Sequence, residues 1–487
     1  MNKIIWRGVY ALTTSLSTLS YSYAETFYVD ANVDGFFSDG SADSPKKTIA
    51  AGLELLSDDG GDTLIIKPGT YAENITDIAN GKPGAYNIIK AETDGTVIIK
   101  GGMDLPYSTQ YIQFEGLKWD SHQGKHITGH HIKLLRCALK GGPVTNNNVN
   151  LGIGTNDHTP GAHHILIEDS WVYGEGGRYN ILIYNSDSIV LRRVVIRHDG
   201  GWAGNGYDPE AGVSIYNSSN VDVQNAIVLD SDLKYQYWTS AFYNVKNDSS
   251  ATPHSNTRIA GSIVLNAPHG GAYGYDDGGA MKDARLENSI AWNSGAGIFM
   301  NGDNKNVTAK NITLGHIAST GVAIWGGKKN SIDISQSIFY KIKYVIKQNA
   351  GNIRQNNNSC FPLDLKNCIG ASALRDPLSN GLRYLPTVLP NSFLNDGKTG
   401  VIGASIINRI GKDGSLYGEP GFADTTTTSI WPWPNEQRIK ADLCSATDRG
   451  LCHSPASLTQ YIWNYLGSNL PDGCGYTRSL ASCLKTH

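Results

Sequence analysis

Charge is scarce in this chain. Only 17% of its 487 residues are Asp, Glu, Lys or Arg, and the formal net charge is −3. No polybasic surface is available for a nucleic-acid backbone, so that class of partner is excluded. Methionine is limited to 4 residues, and leucine-rich amphipathic stretches are nearly absent. A helical bundle is therefore a poor description. No internal run approaches eighteen apolar residues, so no membrane-spanning helix is expected. Neither a CxxC nor a Cys/His spacing suggests zinc. What is plentiful is glycine, 55 residues, together with Asn and Ser. That mixture suits short strands joined by tight turns.

The first residues read as an export signal, with Lys3 and Arg7 ahead of a modest apolar stretch over residues 9–19. Small residues at Ser22-Tyr23-Ala24 place cleavage before Glu25. A signal over 1–24 predicts a secreted or periplasmic protein. Seven cysteines fit that compartment. Cys360 with Cys368, Cys444 with Cys452 and Cys474 with Cys483 are near neighbours suited to local disulfides, although sequence does not fix connectivity. Cys137, within LLRCAL, reads as a buried apolar residue.

Residues 25–85 read as an N-terminal cap with the first coils. A strand near residue 27 is followed by a helix starting at Ser44-Pro45, with Ile49, Leu53 and Leu56 on one face. Such a helix covers the open end of a stacked sheet. From residue 86 to about 384 a repeat sets in: HHIKLLRCAL, HHILIEDSWVY, DSIVLRRVVIR, SNVDVQNAIVL, SNTRIAGSIVL, KDARLENSIAW, KNVTAKNITL, NSIDISQSIFY. One inward position recurs at Leu134, Ile167, Leu191, Val223, Ile259, Leu286, Ala309 and Ile334. The shortest intervals, near 23 residues, are those of a coil of a parallel β-helix, and the longer ones carry loop insertions. Asn225 and Asn288, ahead of the last strand of their coils, suit a sharp left-handed bend. The expected fold is all-β: a right-handed parallel β-helix with an N-terminal capping helix and a disulfide-rich C-terminal cap. Residues 385–487 form a wrap and that cap, expected to pack on the solenoid's C-terminal end. Trp431 and Trp433 either pack there or carry a sugar-binding module.

A second strand set precedes the first: YNILIYNS, GVSIYNSS, TSAFYNV, GGAMKD, GAGIFMN, TGVAIWGG. Alternation turns Ile183, Ile215, Phe242, Met281, Met300 and Ile324 inward. It turns Tyr184, Tyr216, Tyr243, Lys282, Asn301 and Trp325 outward as one column. Aromatic rings interrupted by one lysine and one amide suit a saccharide cleft. Three long loops, at residues 198–210, 230–238 and 267–279, are expected as a wall beside it. They bring His198, Asp199, Tyr207, Asp208, Glu210, His269, Tyr275, Asp276 and Asp277.

The segment DDGGAMKDARLENSIAWNSGAGI resembles the family 9 polysaccharide lyases, right-handed β-helix enzymes that cleave pectate. YVDAN…SPKKTIAAGL…GDTLIIKPGTY resembles the opening of these and related secreted β-helix proteins. The resemblance covers about residues 26–345. It implies β-elimination on a uronic-acid polysaccharide, with Lys282 as catalytic base and Asp276 and Asp277 as the acidic residues ahead of it; these two with Asp208 offer hard oxygen ligands to a calcium ion. The chemistry is coherent, since a neutral lysine can take the C5 proton while a cation steadies the carboxylate. Tyr184, Tyr216, Tyr243, Asn301, Trp325, His198 and Tyr275 are the expected substrate contacts, the partner an acidic polymer, and the protein a monomer. Glycoside hydrolysis by a carboxylate pair drawn from Asp199, Asp208, Glu210, Asp276 and Asp277 is the alternative chemistry. A glycan-binding surface or matrix protein is the non-catalytic alternative.

Overall fold

In the computed structural model the described residues are 24–34, 37–144, 148–155, 161–200, 209–232, 239–246, 254–277, 281–361, 372–373 and 402–466. Residues 1–23, all but the last of the expected signal, lie outside them. Almost every element is a short strand pairing in parallel with strands one coil before and one coil after. The expected parallel β-helix is what forms. Thirteen strands, from Thr26–Val29 to Asn352–Asn356, make one continuous sheet, the first face.

The other two faces merge into a 21-stranded sheet. The second face includes Trp171–Gly174, Val195–His198 and Ile227–Leu229. The third includes Tyr179–Tyr184, Ala211–Tyr216, Ser240–Lys246 and Thr320–Ile324. They are joined because two long strands, Ile263–Asp277 and Ile290–Gly302, run around the corner from second face to third. The stretch 267–277, expected as a loop, is therefore strand. Its register shifts between Ala267 and Gly271, which turns the corner without ending the ladder.

The inward positions of the first face stack as expected. Leu134 pairs with Ile167, then Leu191, Val223, Ile259, Leu286, Ala309 and Ile334 in unbroken order. All are buried. The bend before the second face is left-handed at Asn225 (φ 49°) and Asn288 (φ 47°). These side chains also reach outward. Asn225 Oδ1 accepts from the Ile410 amide at 2.7 Å, and the Asn288 amide donates to the Ser405 carbonyl at 2.9 Å. The bends thus anchor the chain that returns along the solenoid.

The N-terminal helix is Ile49–Leu53, shorter than expected, because Thr48 rather than Ser44 caps it. Ile49, Leu53 and Leu56 are buried as anticipated. The C-terminal segment does not sit on the C-terminal end. Its helices Glu436–Ala446 and Leu458–Tyr465 pack against the outside of the second face, around Trp171, Tyr173, Val195 and Leu229. Asp442 accepts from Lys118 at 2.5 Å and from the Trp171 indole at 2.9 Å, and the buried Arg197 donates to the Leu443 carbonyl at 2.6 Å. These partners belong to early coils, and the apolar outer side of the second face there dictates the docking. Trp431 and Trp433 are buried in the same cluster, so packing is their role. Cys444–Cys452 is a disulfide, Cys360 is disulfide-bonded, and Cys137 is free and buried. Cys368, Cys474 and Cys483 lie outside the described residues.

Candidate active site

The outward side of the third face carries the candidate site, and its rows differ from the expected column. Ile183 pairs with Ile215, and Met300 with Ile324, as anticipated. Between them, however, stand Asn244 and Tyr275, not Phe242 and Met281. Each replacement is a slip by an even number of residues, which preserves alternation and so leaves the apolar pattern unchanged. The outward row is Tyr184, Tyr216, Val245, Asp276 and Asn301, with the Trp325 amide bonded to the Met300 carbonyl at its end. Tyr243 belongs to the adjoining outward row with Ser214, Gly274 and Phe299.

Asp276 is the centre of this surface. Its Oδ2 accepts from the Tyr243 hydroxyl at 2.9 Å, and its Oδ1 from the Asn301 amide at 3.2 Å. Tyr243 reaches it across Gly274, where a Cβ would lie 2.8 Å from the Tyr243 ring and 2.6 Å from Phe299. Only a residue without a side chain lets both rings close over the strand. Burial, with the Asp276 and Glu210 charges adding to it, raises the Tyr243 phenol well above its ordinary value, so it remains a hydrogen-bond donor.

Glu210 and Arg178 form an ion pair just ahead of their third-face strands. Burial lifts the Glu210 carboxyl above the usual range although Arg178 pulls it down, and Asp276 adds to the rise. Arg178 went unnoticed in the sequence. Its signal was there, because Arg178 and Glu210 each stand immediately before the first residue of adjacent strands. Tyr184 and Tyr216 meet edge to face at 5.0 Å. Trp325 is 53% exposed, with the Lys347 ammonium 5.8 Å from its ring centre. Exposed aromatic faces of this kind are what a sugar ring stacks on.

Lys282 stands elsewhere. It bridges to Ser255 on one rung and Lys305 on the next, at the corner leading into the first face. It is exposed and makes no ion pair among the described residues. The link to the acidic surface is through shared rungs: Asp276 pairs with Asn301, and a few residues further along the same two coils Lys282 pairs with Lys305. Asn304 ties the turn down, donating to the carbonyls of Asn301 at 2.6 Å and Tyr275 at 3.4 Å.

Tyr243 is itself buried at 4% exposure, and two further expected contacts are not at the surface either. Tyr275 is 1% exposed and points into the core between Asn244 and Met300, because alternation turns Asp276 out. His198 is fully buried, its Nε2 3.0 Å from the Gly177 carbonyl, and burial lowers it to about 4. Asp199 is likewise enclosed, held by Arg197 at 2.7 Å and Arg449 at 3.0 Å. Asp208 and Tyr207 lie outside the described residues, as do the side chains of Asp277 and His269. For calcium, Asp276 alone of the three expected ligands has a described side chain, and neutral donors already engage both its oxygens. A calcium ion takes six to eight oxygens, so Asp276 would supply one of several ligands.

Parallel rungs define a β-helix whose third face carries an aromatic row and an acid–amide pair. No protein-family model matches the chain, and no curated relative does. Among solved structures it is similar to pectate lyase Pel9A, at 15% identity over 82% of this chain and 95% of that one, with a TM-score of 0.41. It is also similar to XylC in complex with xylose, at 8% identity over 69% and 83%, TM-score 0.47. A third is a mannuronic acid-specific polysaccharide family 6 lyase from human gut microbiota, at 12% identity over 70% and 83%, TM-score 0.42.

Proposed function

We propose that the protein is a polysaccharide lyase that cleaves a uronic-acid-containing polymer by β-elimination, with Lys282 as the base. The observation that carries this reading is the shared pair of rungs that bears Asp276 and Asn301 at the end of the third face and, at the next corner, the exposed Lys282 beside the half-buried Lys305. Sugar rings stack on Tyr184, Tyr216 and Trp325, and the Asn301 amide addresses hydroxyls. Lys282 takes the proton from C5. Those electrons form the C4–C5 double bond, the C4–O bond breaks, and the departing oxygen gains a proton from solvent. Lys305, beside the base, offsets the charge gathering on the uronate carboxylate. A calcium ion would be held by Asp276 with Asp277 and Asp208. Export through the signal at 1–24 and action as a monomer belong to the same proposal.

The test is incubation with pectate, alginate and other uronate polymers. Unsaturated ends that absorb in the ultraviolet support it, and their loss in Lys282→Ala assigns the base. A hydrolase on the same surface is the second reading, favoured by Glu210 and Asp276. Burial lifts the Glu210 carboxyl, which suits a general acid, and Asp276 is a second carboxylate on the same surface. New reducing ends without ultraviolet absorbance would support it.

A further inference from the structure

The first face carries a cluster that the proposed chemistry does not use. His130 and His131 begin one strand, and His163 and His164 begin the next, in register. Within each rung the two Nδ1 atoms face one another, at 2.9 Å and 3.0 Å. Between rungs His130 stacks on His163 at 4.5 Å and His131 on His164 at 4.7 Å, the planes within 7° and 4°. All four rings are half-buried. The run is bounded by Tyr111, stacked on His131 at 4.5 Å, and by Asp187, the register partner of His163.

We propose that this histidine quartet is a binding site for a first-row transition-metal dication such as Zn²⁺, held by His130, His131 and His163, with His164 as an additional ligand. One ligating nitrogen from each of the three lies within 4.8 Å of the others. Imidazole is a preferred ligand of zinc, nickel and copper, and three nitrogens leave a coordination position open. Ligation at ~2.0–2.1 Å sets nitrogens ~3.3 Å apart in a tetrahedral site. The pair within a rung must open slightly and the rungs' rings must lean together, which side-chain torsions supply without moving the ladder.

Protonation does not compete at neutral pH. Burial, reinforced by repulsion among the rings, lowers His131 and His163 to about 4 and lowers His130 as well. Each neutral ring then keeps one nitrogen lone pair for a metal. The backbone also favours a pair at each rung. His131 (φ 53°) and His164 (φ 52°) are left-handed, so two consecutive side chains converge on one side of the strand.

The experiment titrates Zn²⁺ into the metal-stripped full chain by calorimetry, with x-ray absorption on the one-equivalent complex. The expected result is one saturable site per chain with at least three nitrogen neighbours, together with a raised Tm. His131→Asn with His164→Asn keeps residues that tolerate the left-handed backbone. It should weaken that site by about 30-fold or more while the metal-free Tm stays unchanged. His130→Gln, which copies Gln110 on the preceding rung, should weaken it by about tenfold. Absence of saturable binding up to about 100 µM Zn²⁺ would overturn the assignment. So would equal affinity in the double variant, since the chain has 13 histidines that could bind zinc elsewhere.

Discussion

Replacing Arg192 with Met should release the segment that returns along the first face. Arg192 is fully buried and holds that segment at several points. Its guanidinium donates to the carbonyls of Lys412 (2.8 Å), Phe422 (3.0 Å) and Ser415 (3.2 Å), to Gln224 Oε1 (2.7 Å) and to Glu168 Oε2 (2.6 Å). Removing one partner of a buried ion pair costs about 3–5 kcal/mol, mostly because the other charge is left behind. Glu168 keeps Arg193 at 3.4 Å and the Gly414 amide at 3.1 Å, so the lower end, about 3 kcal/mol, is expected. Leu416, Tyr417 and Phe422 still pack on Leu135, Leu166 and Val190, so loosening should be local. Urea unfolding gives the magnitude, and limited proteolysis should show new cleavage within residues 412–422. Stability within about 1 kcal/mol of the parent and an unchanged digest would mean that Arg192 does not hold the segment.

Asn288→Ala should cost about 2 kcal/mol in thermal or urea unfolding, since it removes a left-handed residue and both bonds to Ser405. Stability should fall as pH drops from about 6.5 towards 4. The fully buried His198 has its pKa lowered to about 4, so the unfolded chain binds the extra proton in that window, a loss of up to about 3 kcal/mol, and His198→Asn should make that slope shallower, leaving the share of His131 and His163. Tyr243→Phe should leave the fold intact but free one Asp276 oxygen, lowering turnover by about tenfold if that carboxylate orients substrate. An unchanged rate would remove Tyr243 from the site.

The first face was legible because its repeat turns on short, fixed bends, so Leu134 to Ile334 could be aligned by motif alone. The third face was only half legible. Matching AFYNV to SIYNS set Phe242 beside Ile215, but the ladder sets Asn244 there, with both amide atoms buried and without a hydrogen-bond partner among the described residues. An apolar pattern never seats an asparagine inward, and a slip of two leaves every other residue on its proper side. The same degeneracy exchanged Tyr275 for Met281 and carried Lys282 into a column it does not occupy. The docking of the C-terminal helices on early coils was illegible for another reason. It depends on contacts such as Lys118 to Asp442, separated by more than three hundred residues.

The most direct measurement is ultraviolet absorbance of products from a panel of uronate polymers, recorded for the parent protein and for Lys282→Ala. Unsaturated ends are expected from at least one polymer with the parent and none with the variant, whose polymer binding and Tm stay intact because the side chain is exposed. Parent and variant yielding the same rate would contradict the lysine, and reducing ends without absorbance would contradict the elimination itself.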